Sequence, residues 1–223
     1  TAHTKQLQDD LFAEMKSRIK EDDSSVPYFY NEYWYITRFE TGKDYPIYAR
    51  KKGNLDAKEE ILFDCNEMAK GQSYFNLSGM SVSGDNKLVA FGLDLVSRRQ
   101  YTIHIKNLET GEILSDKIEN TTGGSSWSTD NKTLFYTGKD AQTLRSDKIF
   151  KHKLGTNASE DVLVFHEKDD TYSTFVYKEK SKKYWNEFFQ VATSLEIPNI
   201  RKYLLIYFSW MFFFFFFIFF FFL

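Results

Sequence analysis

Ser81-Val-Ser-Gly-Asp85-Asn86-Lys87-Leu88-Val89-Ala90-Phe91 returns, 45 residues later, as Ser126-Trp-Ser-Thr-Asp130-Asn131-Lys132-Thr133-Leu134-Phe135-Tyr136. Both copies read Ser-x-Ser-x-Asp-Asn-Lys and run into an apolar stretch. Asp and Asn bond their own backbone and tolerate left-handed geometry, so the pair predicts a tight turn. The β-formers after it predict a buried strand. The interval lies in the range of one β-propeller blade.

A second strand recurs behind each copy. Gln100-Tyr-Thr-Ile-His-Ile-Lys-Asn-Leu-Glu-Thr-Gly111 follows the first, and Asp147-Lys-Ile-Phe-Lys-His-Lys-Leu-Gly155 follows the second. A third relative, Tyr45-Pro-Ile-Tyr-Ala-Arg-Lys-Lys-Gly53, precedes both. Each alternates apolar with polar residues, as a half-buried strand does, and each closes on a glycine turn. Each then leads into one more short strand: Glu60-Ile-Leu-Phe-Asp, Glu112-Ile-Leu-Ser-Asp and Asp161-Val-Leu-Val-Phe. The chain therefore reads as mostly β. It is an incomplete propeller of about three blades, with a stub of a fourth beginning at Tyr172-Ser-Thr-Phe-Val-Tyr.

Ahead of the strands, residues 4–20 predict an amphipathic helix. Leu7, Leu11 and Met15 fall four apart, with Phe12 and Ile19 flanking the same stripe. Asp9 and Asp10 early, and Lys16, Arg18 and Lys20 late, suit the helix dipole. A lone helix of this length is marginal in water, so the stripe needs a partner surface. Tyr28 to Phe39, dense in aromatics, predicts sheet packing rather than a ligand site. The boundaries expected are 1–27 for the helical segment, 28–184 for the propeller portion and 185–223 for a tail of different character.

The 223 residues carry a net charge of −2, which gives no argument for nucleic acid as a partner. The single cysteine, Cys65, excludes an internal disulfide framework and fits a reducing compartment, hence a cytoplasmic location. Thirteen of the 23 phenylalanines lie after Tyr184. Residues 203–223 hold no charge and follow Arg201-Lys202, a length and polarity that would license a transmembrane helix. Near-pure Phe lacks the small residues on which natural spans pack, however. A thymine-rich gene read in a wrong frame yields such runs. Residues from about 185 onward are therefore expected to be a frame-shifted reading, and a membrane becomes a partner only if the tail is genuine.

The run Thr1-Ala-His-Thr-Lys, then Glu14-Met-Lys-Ser-Arg-Ile-Lys-Glu-Asp-Asp-Ser-Ser-Val-Pro27, then Tyr45 to Gly53, resembles the start of the oligopeptidase B group of the prolyl oligopeptidase family of serine peptidases. The resemblance covers residues 1 to about 184. It implies an N-terminal segment packed partly on a hydrolase domain, a seven-bladed propeller, and cleavage of short peptides after Lys or Arg. It makes a hydrolase domain the expected packing partner of the 4–20 helix. It also implies a nucleophilic serine on a Gly-x-Ser-x-Gly elbow, activated by His and an acid. No Gly-x-Ser-x-Gly occurs in the sequence. Gly79-Met-Ser-Val-Ser-Gly84 and Gly123-Gly-Ser-Ser126 have the wrong spacing, so no catalytic residue carries over. His104 and His152 lie at nearly equivalent places in repeated strands, which favours structural roles. No Walker loop, dinucleotide fingerprint or zinc spacing is present, so no cofactor or metal is expected. The chain alone is expected to be inactive on peptides. Its uncovered blade faces and sheet edges are expected to make it poorly soluble. The alternative is a propeller-like binding module without catalysis, anchored to a membrane by its tail.

Overall fold

The computed structural model describes residues 2–178, 187–193 and 202–208. They fall into two compact units, 1–71 and 72–223, each taken by itself below.

The first unit opens with a 3₁₀ turn, Ala2–Thr4, and helix α1, Lys5–Ser17. The helix is three residues shorter at its C-terminal end than its pattern predicts, because Arg18 caps it and the chain turns out at Lys20. No α1 residue is buried. Leu7, Leu11, Phe12 and Met15 form a wholly exposed stripe, continued by Ile19 beyond the helix end. Strands β1 (Asp23–Ser24), β2 (Tyr28–Tyr30), β3 (Tyr33–Phe39), β4 (Ile47–Lys52) and β5 (Glu59–Asp64) follow. Both β1 and β2 pair with β3, and the sheet continues through β4 to β5, all antiparallel. Pro27 lies between β1 and β2, where no ladder bond needs its missing N–H. Tyr28 stacks on Tyr35 at 5.2 Å, and Phe29 meets Trp34 at 5.1 Å. The aromatic run thus packs across its own hairpin. Tyr35 is buried, while Tyr28, Phe29 and Tyr30 stay about half exposed.

One helical turn, α2 (Cys65–Met68), ends this sheet. Asp64 caps it by accepting from the Asn66 and Glu67 amides. Cys65 is buried, and burial pushes its thiol up to about 12. The thiolate is the reactive form. Cys65 is therefore expected to resist alkylation in the folded protein at pH 8 and to react fully in denaturant, as mass spectrometry would record.

The second unit is dominated by a seven-stranded antiparallel sheet of β6 (Asn76–Val82), β7 (Leu88–Asp94), β8 (Tyr101–Asn107), β9 (Ile113–Trp127), β10 (Thr133–Lys139), β11 (Ser146–Lys153) and β12 (Val162–His166), paired in sequence order. The repeated turns close identically. The Ser83 amide donates to the Leu88 carbonyl, and Ser128 does the same to Thr133, both at 2.9 Å. Asn86 and Asn131 both sit at positive φ, 63° and 53°. The Lys87 and Lys132 amides donate to the Asp85 and Asp130 carboxylates. The later turns match as well: Gly53, Gly111 and Gly155 hold φ of 76°, 78° and 79°, a region that favours glycine.

The element the sequence does not announce is β9. Its first half was readable as the short strand at Glu112–Asp116, but the strand runs on unbroken for 15 residues. Its N-terminal part pairs with β8 (Ile118 opposite Ile103), and its C-terminal part with β10 (Trp127 opposite Leu134). Thr121 pairs with both Tyr101 and Gly138. So β9 is the outer strand of one four-stranded meander and the inner strand of the next. Positive φ at Asn120 and Gly123 marks the crossing.

The two meanders bury their facing sides against each other. Ala90, Ile103, Ile105 and Ile118 of one meet Trp127, Leu134 and Tyr136 of the other. Trp127 is 1% exposed, and its indole N–H donates to the Ser81 carbonyl at 2.8 Å. The backbones nearly touch beside it: a Cβ on Gly79 would lie 1.9 Å from the Gly123 carbonyl oxygen.

The stub appears as β13 (Val176–Lys178), which pairs antiparallel with β14 (Glu187–Thr193) and through it β15 (Lys202–Phe208). Residues 203–208 of the apolar run are thus in a strand, and 209–223 lie outside the described residues. Among the described residues no helix is long and apolar enough to cross a membrane.

Candidate functional site

The two serine-rich strings inspected for a nucleophile are ordinary strand. Gly79 to Val82 belongs to β6, and Gly123 to Ser126 to β9, where the glycines allow the close approach of the two backbones. Neither forms the sharp strand-to-helix turn on which a nucleophile elbow depends.

The histidines separate on inspection of the register. His104 on β8 lies opposite Phe91, and His152 on β11 opposite Leu134. Shifted by 45 residues, Leu134 corresponds to Val89, whose partner is Lys106. The two histidines are therefore near in the repeat but two residues apart. His104 is half-buried with its ring 5.8 Å from Phe91, and burial, helped by Lys117, holds it below the usual histidine range. His166 Nε2 lies 3.2 Å from Asp147 Oδ2 at the sheet edge. His3 is exposed in the first turn. Among the described residues of the second unit, no hydrogen bond joins His104 and His166.

His152 is different. It is fully buried, with Nδ1 2.7 Å from Asp161 Oδ1 and Nε2 3.0 Å from Asp116 Oδ1. The Tyr136 hydroxyl donates to Asp161 Oδ2 at 2.8 Å, and the Gly155 amide donates to Asp116 Oδ1 at 2.7 Å. Burial and the Asp161 carboxylate push the Tyr136 phenol far up, so it stays a donor. Three elements meet here: Asp116 comes from the outer half of β9, His152 from β11, and Asp161 from the turn before β12. The residues are 36 and 9 apart in sequence. No local motif announces them, and the only signal is a histidine on the same strand face as Phe150, in a slot where alternation calls for an apolar side chain.

The arrangement does not perform acyl transfer. A base that activates a serine needs one ring nitrogen facing the hydroxyl while the other is held by the acid. Here both nitrogens face carboxylates. Among the described residues no group of three or more His, Cys, Asp or Glu side chains is placed to hold a metal ion. What the cluster does is tie the outer strand of one meander to the body of the next.

Residues 1–186 match the family model described as the prolyl oligopeptidase N-terminal beta-propeller domain. Dipeptidyl aminopeptidase BI of Pseudoxanthomonas mexicana is 42% identical over 198 residues, covering 82% of this chain and 27% of that protein. Protease 2 of Moraxella lacunata is 32% identical over 194 residues, covering 84% and 28%. Among solved structures, oligopeptidase B from Leishmania major superposes with a TM-score of 0.76 at 32% identity, covering 91% of this chain and 30% of that one. The chain thus spans less than a third of the length of these relatives, and the part it spans is their N-terminal portion. The meanders of the first and second units are accordingly propeller blades, and the chain belongs to the prolyl oligopeptidase family, as its N-terminal β-propeller domain.

Proposed function

We propose that this chain is the substrate-gating portion of a serine-type oligopeptidase, whose nucleophile, base and acid are supplied by a hydrolase domain outside residues 1–186. The observation that carries the reading is the family match over residues 1–186 in a sequence without a Gly-x-Ser-x-Gly elbow. A propeller contributes by size: its walls leave room for a short flexible peptide and exclude a folded protein. Cleavage after Lys or Arg is the specificity the resemblance to the oligopeptidase B group implies. The 42% relative is named for removing dipeptides, so the two specificities are to be separated by assay. The full-length protein is expected to hydrolyse short Arg- and Lys-amide peptides and to leave denatured chains of 100 residues or more untouched. Release of N-terminal dipeptides without internal cleavage would replace the endopeptidase reading, and equal hydrolysis of long chains would remove the gating role.

Helix α1 supplies the second contact in this reading. Its exposed stripe, with Leu11 47% and Phe12 65% exposed, is what a helix docked on a second domain presents when seen without it. Burying a Leu or Phe contributes about 1.5–3 kcal/mol. Leu11→Glu is therefore expected to lower the melting temperature of the full-length protein by several degrees. Ala13→Glu, on the opposite side of the helix, leaves it unchanged.

Residues 185–223 are read as a frame-shifted translation, supported by the family match ending at 186 and by the composition of the Phe run. Sequencing the gene from codon 175 onward tests this: another frame should continue the blade pattern, and a confirmed frame with nothing beyond would return the tail to consideration as a membrane anchor. The cytoplasm remains the compartment the lone buried Cys65 favours.

A further inference from the structure

We propose that the loop of residues 95–99 is a proteolytic processing site: its Arg98-Arg99 pair is held away from endopeptidases that cut after basic residues by a lock made of Asp94 and Lys139.

Exposed loop tips are where native proteins are nicked. Among the described residues Arg98-Arg99 is the one pair of neighbouring Lys or Arg residues outside a helix or strand, and both are exposed. The pair lies between β7 and β8, in the second blade. Turn geometry does not ask for arginine there. The corresponding loop of the third blade, residues 140–144, has Leu144 at φ 60° where Arg99 has 54°. That loop is closed by Asp140, which accepts from the Gln142 and Thr143 amides, and its tip carries no basic residue.

As folded, the loop has the wrong shape for cleavage. A peptide bound as an added strand offers an extended main chain with free hydrogen-bonding groups. Extended backbone has φ of about −75° to −140°. Ser97 at 60° and Arg99 at 54° lie far outside that range. The main-chain groups are occupied as well. Asp94 is 0% exposed, and both its oxygens close the loop: Oδ1 accepts the Val96 amide at 2.9 Å, and Oδ2 the Arg99 amide at 2.7 Å. The Arg99 carbonyl, the group a nucleophile attacks to cut after Arg99, accepts from Lys139 Nζ at 2.6 Å. Non-glycine residues at positive φ persist only where their surroundings over-determine them. Asp94 and Lys139 do so here.

Lys139 belongs to β10, in the third blade, so the lock spans a blade seam. Trp127 and the Gly79–Gly123 contact close the same seam. Parting the two blades withdraws the amine and frees the Arg99 carbonyl. Cleavage then adds water across the Arg98–Arg99 or Arg99–Gln100 amide, leaving a carboxylate on the first residue and an amine on the second.

Trypsin is the probe, applied at low ratio to the full-length protein under native conditions, with fragments identified by mass spectrometry. The wild type should resist cutting after Arg98 and Arg99. Asp94→Asn removes one acceptor at nearly constant size, and Lys139→Met keeps the stem and removes the donor. Nicking follows the population of the open loop when opening is fast. Losing a hydrogen bond to a charged group raises that population about tenfold. Each variant should therefore be cut after Arg98 or Arg99 about tenfold faster than the wild type, with cutting elsewhere in residues 72–178 unchanged. Lys139→Met removes only a half-exposed amine, so it carries the test where Asp94→Asn loosens the whole blade. Wild-type cutting at this loop as fast as in Lys139→Met, or a Lys139→Met loop that stays resistant, would overturn the lock.

Discussion

Trp127→Ala is expected to lower stability by about 3–5 kcal/mol, the cost of deleting a fully buried large aromatic side chain. Trp127 is almost fully buried because β9 hands it from one blade to the next, where it packs in one cluster with Ala90, Ile103 and Ile105. Its indole also donates to the part-buried Ser81 carbonyl, so the change removes that hydrogen bond as well as opening a void. Trp127→Phe keeps most of the volume and loses the donor, so it should recover more than half of the loss. Chemical denaturation curves read both variants. A Trp127→Ala midpoint within error of the wild type would mean that the blade seam is not packed as described.

Gly79→Ala is expected to cost about as much, for a different reason. The added Cβ would sit 1.9 Å from the Gly123 carbonyl oxygen and 2.3 Å from its carbon, both backbone atoms that cannot rotate away. The inner strands of two blades would have to separate, and overpacking of that kind costs about 1–3 kcal/mol. Positive φ at Gly79, +66°, adds about 1–2 kcal/mol for an L side chain. Gly111→Ala isolates the clash, since Gly111 has φ +78° with open space around it. It should cost only the conformational part. Equal losses at the two positions would remove the close approach of β6 and β9 from the account.

The repeat was legible because turn chemistry is local. Asp85-Asn86-Lys87 and Asp130-Asn131-Lys132 specify their own hydrogen bonds, and the glycines at 53, 111 and 155 mark the second turn of each blade. The handover within β9 was not legible, because Asn120, Gly123 and Gly124 look like a loop. They are instead the residues that let one strand bend between two sheets. Nor was the cluster at His152. Its partners are 36 and 9 residues away, and only the packing of one blade on the next brings Asp116 to the ring. By ladder partner His104 and His152 lie two residues apart in the repeat, and a register shift between Gly138 and Lys139, which no local pattern marks, moves the third blade's pairing by one residue relative to the second's. The exposed stripe of α1 was readable as a surface in want of a partner, and in the first unit it remains one.

The central claim is that residues 1–186 belong to the family's N-terminal propeller domain and that the reacting serine lies elsewhere in the protein. Labelling the full-length protein with a fluorophosphonate, then locating the adduct by peptide mass spectrometry, tests this most directly. A single adduct on a serine beyond residue 186, within a Gly-x-Ser-x-Gly string, is the predicted result. An adduct on any serine between residues 1 and 186, lost when the protein is unfolded first, would contradict it.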